Sequence, residues 1–161
     1  MTANDLLIRL RYALNIKNAD MAKMFKLGGV DVTALDVSNM LQKVVEDEPK
    51  PENYKTCNNK MFDAFLNGLI TTKRGPQQKK PEQEVVVTKL EPINNMLIKK
   101  VKIALQLTTE DVLDIFYDGG INVSKGELGA ILRNASHRNY KECGDKFARK
   151  FLNGLTLRYR K

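Results

Sequence analysis

Tryptophan is absent from this chain of 161 residues, and aromatic side chains together make up only 7%. Ligand pockets and base-stacking platforms built on large flat rings draw on more of them than that. Two cysteines, Cys57 and Cys143, are too few for a disulfide framework or a four-thiolate zinc site. A single histidine, His137, leaves metal ligation within one chain short of its commonest ligand, so no metal or other cofactor is expected. No stretch approaches the roughly eighteen apolar residues of a membrane span. The start, Met1-Thr-Ala-Asn-Asp-Leu-Leu, lacks the basic segment and apolar run of a secretory signal. These absences lead to the expectation of a cytoplasmic protein in a reducing setting, with no membrane partner.

What is present is an apolar fraction of 42%, enough for a core, and a net charge of +8. A basic excess of that size suits acidic proteins or nucleic acid as partners and is silent about fold and oligomeric state.

The main feature is a repeat. Shifted by 91 positions, Asn4–Lys43 falls on Asn95–Asn134, with identities at Asn4/Asn95, Leu6/Leu97, Ala13/Ala104, Asp20/Asp111, Phe25/Phe116, Gly28/Gly119, Gly29/Gly120 and Leu41/Leu132. At an offset of 86, Asn53-Tyr-Lys-Thr-Cys57 falls on Asn139-Tyr-Lys-Glu-Cys143, and Phe65-Leu-Asn-Gly-Leu69 on Phe151-Leu-Asn-Gly-Leu155. The difference of five residues is an insertion around Glu46–Glu52, where acids and two prolines mark a loop. One unit is written twice.

Spacing predicts four helices per unit. Leu6, Leu7, Leu10, Ala13 and Leu14, matched by Leu97, Ile98, Val101, Ala104 and Leu105, recur with helical period. A second helix covers about 19–27 and 110–118 and ends in a Gly-Gly pair suited to a left-handed cap. The third opens with a capping-box pattern, Thr33-x-x-Asp36 and Ser124-x-x-Glu127. The fourth carries Cys57, Met61, Phe65, Leu66 and Leu69 on its apolar face, against Cys143, Phe147, Phe151, Leu152 and Leu155, with Gly68 and Gly154 near its end. Nothing alternates with period two for long. The expected fold is all-α, with two tandem four-helix units packed on each other about a pseudo-two-fold axis. The units cover 1–70 and 95–161, and a polar, Lys/Pro/Gln-rich linker covers 71–94. Within the linker, Val85-Val-Val-Thr88 is the one apolar island and is expected to lie extended across a unit.

The twice-written Phe-Leu-Asn-Gly-Leu ending, the Gly-Gly turn before a Ser/Thr cap, and the Asn-Tyr-Lys-x-Cys run resemble the YehS-like family of bacterial proteins, built from a tandem domain of unknown function. The resemblance covers essentially the whole chain, with one departure. Arg74-Gly75 follows the first unit, whereas the second ends Arg160-Lys161. It implies a bacterial cytoplasmic origin and the two-unit layout, and it carries over no catalytic residue.

Charge separates the copies. Residues 1–70 hold nine basic and nine acidic side chains, and residues 95–161 hold thirteen against seven. The candidate basic patch of the second unit is Lys99, Lys100 and Lys102 on its first helix, Lys141, then Lys146, Arg149, Lys150, Arg158 and Arg160 toward the end. Spacings of three and four put each set on one helix face. Anionic partners held there would be salt-sensitive; the plainer reading is a solvated face complementing helix C-termini. The bases of the first unit that repeat these positions are Arg9, Arg11, Lys55, Lys60 and Arg74.

A helix-turn-helix reading of the Gly-Gly turn requires a third helix rich in cations and amides. Ala34, Asp36, Asn39, Gln42 and Lys43 in one copy, and Lys125, Glu127, Ala130, Arg133 and Asn134 in the other, are nearly neutral, so helix packing is preferred. Cys57 and Cys143 beside Tyr and Lys suggest an activated thiolate only if exposed; on an apolar face they are structural. No catalytic constellation emerges. The expectation is a non-enzymatic binding or adaptor protein with an acidic partner, the alternative being a nonspecific nucleic-acid-binding regulator acting through the second unit.

Overall fold

The computed structural model describes residues 2–45, 47–75 and 91–160, and among these every regular element is a helix. They are α1 (Ala3–Leu14), α2 (Asn18–Leu27), α3 (Ala34–Met40), α4 (Asn59–Arg74), α5 (Ile93–Ala104), α6 (Thr109–Asp118), α7 (Lys125–Leu132) and α8 (Asp145–Tyr159). The fold is all-α, and α5–α8 repeat α1–α4. Residues 85–88 lie outside the described residues, as do Lys161 and most of the stretch read as linker. Helix α4 runs on through Thr71–Arg74, four residues into that stretch. The Thr71 and Thr72 hydroxyls donate to the carbonyls of Asn67 and Gly68, and Lys73 and Arg74 complement the C-terminal dipole.

Local chemistry sets the helix ends. Thr2 and Asp5, Thr33 and Asp36, and Thr108 and Asp111 form complete capping boxes. Of the two boxes expected from the sequence, Thr33-x-x-Asp36 is complete and Ser124-x-x-Glu127 is only half formed. Ser124 accepts from the Glu127 N–H, but the Glu127 carboxylate turns to Lys141 instead of closing on the cap. After α2 and α6 the second glycine of each pair takes a left-handed conformation (Gly29 φ 99°, Gly120 φ 106°). The following N–H reaches back to Phe25 and Phe116, completing a Schellman-type end.

The apolar stripes face one continuous core. Phe25, Phe65, Phe116 and Phe151 are fully buried, and the tilted pairs Phe25–Phe65 and Phe116–Phe151 have centroids 5.2 and 5.4 Å apart. Glycines let α2 cross α4, and α6 cross α8, at very close range. A Cβ on Gly68 would sit 1.7 Å from the Met24 carbonyl oxygen, and one on Gly154 1.9 Å from that of Ile115. These two glycines, expected near the end of the fourth helix, lie in its interior and serve this approach.

Between the units, α4 packs on α5 and α8 packs on α1, each contact being the other with the units exchanged. That exchange is the pseudo-two-fold relation. Both units bury the same carboxamide, Asn4 in the first and Asn95 in the second, and the second unit buries Asn94 as well. The Asn4 carboxamide donates to the carbonyls of Met40 (3.0 Å) and Lys55 (2.9 Å) and accepts from the Cys57 N–H (2.8 Å). Asn95 repeats all three bonds with Ile131 (3.1 Å), Lys141 (2.9 Å) and Cys143 (2.7 Å). The cysteines therefore precede the fourth helices rather than lying on them, because Asn58 and Gly144 cap α4 and α8 and keep Cys57 and Cys143 in extended approach segments. Asn95→Ala, which strands one N–H and two carbonyls in the core, is expected to lower the unfolding free energy by about 3 kcal/mol or more. Urea denaturation measures it, and a loss below about 1 kcal/mol would mean that water replaces the carboxamide.

Candidate functional site

The nine bases of the candidate patch do not form one solvated face. Lys99 donates to Glu91 Oε2 and to the Arg133 carbonyl, both at 2.6 Å, and lies over the Tyr140 ring. Lys100 reaches across the unit boundary to Asp63 of α4 and to Asn67 Oδ1 (2.7 Å). Lys141 pairs with Glu127, and Arg158 with Asp111 at 3.4 Å. Arg160 stacks on the Tyr12 ring, 3.8 Å from its centroid, and donates to the Tyr12 carbonyl at 2.9 Å. Five of the nine are thus engaged within the chain. Lys102 on α5 and Lys146 and Lys150 on α8 have no ion-pair or hydrogen-bond partner among the described residues. Arg149 lies one turn after Asp145, whose carboxyl is held below its ordinary value by the hydrogen bonds it accepts and then by the charge of Arg149.

The equivalent bases of the first unit divide similarly. Lys55 pairs with Asp36 at 3.7 Å, repeating Lys141–Glu127, so the bases at these two positions serve the capping acids of α3 and α7. Hydrogen bonds from Thr33, first from its backbone, hold the Asp36 carboxyl below its ordinary value, and Lys55 adds to the shift. Arg11 donates to Asn18 Oδ1 at 3.0 Å. Lys60 and Arg74 are exposed at opposite ends of α4, Lys60 lining a shallow hollow with Lys50 and Tyr54. Arg9 is exposed, has no ion pair or hydrogen bond among the described residues, and lines a groove of about 710 Å³ between α1 and α8.

That groove is where the two unit interfaces differ. By the repeat offsets, Arg9 stands where Lys100 stands, Arg149 where Asp63 stands, and Asn153 where Asn67 stands. At α4/α5 the trio closes as an ion pair with a flanking amide. At α8/α1 the acid has become an arginine, nothing closes, and Arg9 and Asn153 line open space. Leu152 is buried at its base, while Tyr12 and Leu157 are 51% and 67% exposed beside it. Sequence reading singled out Arg9 and Arg149 separately and missed Asn153. The signal was available in the exchange of Asp63 for Arg149, but it acquires meaning only once α8 is known to pack on α1.

The cysteines are free and buried, and burial pushes both thiols up to about 12. A thiol in that range is neutral at any physiological pH and is a poor nucleophile. His137 is exposed in the loop before α8, accepting from the Asn139 N–H at 3.1 Å. Among the described residues no group of three His, Cys, Asp or Glu side chains is placed to hold a metal ion. Also among them, no helix is long and apolar enough to cross a membrane.

What the geometry defines is a tandem all-α protein with an open groove between its two units. The chain belongs to the family described as "Protein of unknown function (DUF1456)", which matches residues 3–75 and 94–161. It is similar to the "Uncharacterized protein YehS" of Escherichia coli (strain K12), 39% identical over 162 residues that span 98% of this chain and 96% of that protein. No solved structure matches it.

Two outcomes follow from this geometry. A chromogenic disulfide reagent near neutral pH is expected to find no reactive thiol in the folded protein and both after denaturation; rapid reaction in the native state would overturn the structural role of Cys57 and Cys143. Lys100→Met is expected to destabilise the protein by about 1–2 kcal/mol, since it leaves Asp63 without its cation at a half-buried boundary. Lys146→Met should shift stability by less than about 0.5 kcal/mol in the same denaturation experiment.

Proposed function

We propose that this protein is a non-enzymatic binding protein of the bacterial cytoplasm, that its partner is an acidic protein, and that the second unit makes the contact. The observation that carries this reading is the row of cations on α8. Lys146, Arg149 and Lys150 fall on one helix face at spacings of three and four; Lys146 and Lys150 have no ion pair or hydrogen bond among the described residues, and Arg149 faces only Asp145, one turn before it on the same helix. Cations without intramolecular partners are the ones left to steer and hold an anionic partner, whereas a lysine already engaged, as Lys99 and Lys100 are, must break a native contact first. The first unit, with nine bases against nine acids, serves as the support. The buried, neutral thiols and the dispersal of the remaining titratable groups supply no nucleophile and no acid–base pair for a reaction.

The test uses the full-length protein immobilised in native bacterial lysate, with and without nuclease, at low and high salt. An acidic protein retained after nuclease treatment and released by salt is the expected result. Replacing Lys146, Arg149 and Lys150 together with Gln should lower its retention by about tenfold without lowering Tm. Retention that disappears with nuclease would transfer the α8 face to nucleic acid, and retention indifferent to the triple replacement would remove that face from the contact.

A further inference from the structure

The first unit owes its neutrality to one loop, since four of its nine acids lie in the inserted segment 46–52. Asp47, Glu48 and Glu52 are exposed there, and their side chains have no ion pair or hydrogen bond among the described residues. The loop starts at the edge of the α1/α8 groove, because Lys43 lines that groove and the exposed Val44 and Val45 follow it. It then passes the first turn of α1, where Lys50 and Tyr54 share a hollow with Thr2 and Ala3. The opposite edge of the groove belongs to the second unit. Gly119 lines it, and the Lys150 side chain lies against the neighbouring Gly120, with the exposed Lys146 one turn earlier on α8. Between the edges stand Tyr12 of α1 and Leu157 of α8, both exposed. Arg160 stacked on Tyr12 brings the C-terminal ends of α1 and α8 together, so their first turns share the other end of the groove. The charges lining the groove balance, Arg9 and Lys43 against Asp5 and Asp118.

A face with acids along one edge, cations along the other and apolar side chains between them is complementary to itself. A two-fold axis laid along the groove exchanges the two edges and keeps each position at its own height. We infer that this face pairs two copies of the chain, the acidic loop of each lying against the α8 cations of the other. Tyr12 then meets the second copy's Leu157, and Lys43 meets the second copy's Asp118. The inference rests on the reading above, that the α8 row contacts an acidic protein surface, and it identifies that surface as the loop of a second copy. Charge complementarity singles out this occupant. A partner acidic throughout, or a nucleic acid, meets the carboxylates of the loop at the far edge, whereas a second copy brings cations there. Exposed ion pairs contribute little by themselves in water, so the apolar centre supplies the hold and the edges supply the register. The repeat offers an internal contrast. At α4/α5, Thr71 stands where Leu157 stands, and the shorter loop of the second unit carries Arg133 and Arg138. That face lacks the acidic edge and half of the apolar centre.

Sedimentation velocity of the full-length protein, from about 1 to about 100 μM at low salt, is expected to show a monomer–dimer equilibrium. Three full-length variants are compared with it. Asp47→Lys with Glu48→Lys reverses the loop, Lys146→Glu with Lys150→Glu reverses the row, and Leu157→Asp places a charge at the centre. Each is expected to raise the dimer Kd by about tenfold or more, with Tm within about 3 °C of the wild type. Mixing the loop-reversed and row-reversed proteins in equal amounts is the deciding arm. In that pair both contacts again join opposite charges, so the dimer is expected to return with a Kd within about threefold of the wild type. A variant that failed through misfolding would not be rescued by mixing. A mixture that stays monomeric, or a wild-type protein monomeric at the highest concentration, would overturn the pairing. A dimer that persists in all three variants would place the interface elsewhere and overturn it too. The acidic-partner reading is judged apart from this, by lysate retention. A different acidic protein, retained by a monomeric chain and lost on the triple replacement in α8, would keep that reading and sink this one. A monomer whose lysate retention ignores the triple replacement would sink both.

Discussion

Asn4 and Asn95 each tie two distant stretches of chain to the start of a helix through three hydrogen bonds. The bonds of Asn4 span 36, 51 and 53 residues, and those of Asn95 span 36, 46 and 48. Only a carboxamide answers the demand, because two carbonyls and one N–H converge on the site. A carboxylate has no hydrogen to give the carbonyls, an aliphatic side chain has nothing to offer, and glutamine carries an extra methylene into a full core. Buried polar groups this well satisfied fix a register that hydrophobic contact alone would leave looser. The clamp also explains why the chain tolerates five extra residues between α3 and α4 in the first unit. Both ends of that loop are pinned: by the Asn clamp, and by the Lys55 N–H donating to Asn39, a bond repeated from Lys141 to Ala130. What lies between is free to lengthen at little entropic cost.

With α1 and α5 held in this way, packing proceeds outward in two stages. The close crossings of α2 on α4 and α6 on α8, made possible by Gly28, Gly68, Gly119 and Gly154, complete each unit. A unit of this size buries too little apolar surface to be comfortable alone. Accordingly, the remaining faces of α4 and α5, and of α8 and α1, meet across the pseudo-dyad, and Leu66, Leu69, Leu97, Ile98, Leu152 and Leu155 join one core.

Most of this architecture could be read from the sequence because duplication supplied two instances of every pattern. Apolar stripes, Gly-Gly ends and the Thr33 box were visible as shared spacing, and helix count and fold class follow from them. What escaped has a common physical character: it depends on who faces whom across large separations. Lys100 and Asp63 are 37 residues apart and in different units, so helical spacing on α5 suggested a solvated row of lysines where the structure has a cross-unit bond. Cys57 and Cys143 fit the periodicity of the following helix, yet their N–H groups belong to the asparagine clamp, and the helices begin two residues later. Gly68 and Gly154 look like helix ends by residue type, whereas their missing side chains serve a crossing partner. Glu127 fits a capping box and instead satisfies Lys141, a competition between two local options that spacing does not decide.

The divergence between the copies also takes a sharper form than a difference in net charge. Several bases of the second unit are paired within the chain, since Lys99, Lys141 and Arg158 answer Glu91, Glu127 and Asp111. The exchange that alters the surface is the single one at Asp63 and Arg149. It leaves α8/α1 without a counterpart of the Lys100–Asp63 bond that seals α4/α5, and there Arg160, stacked on Tyr12, fastens the far end of α8 to α1. Arg74, the counterpart of Arg160, has Ile103 where Tyr12 would be, so the fastening is present on the open side alone. A duplicated fold offers two equivalent boundaries and needs only one of them fully closed to stay together.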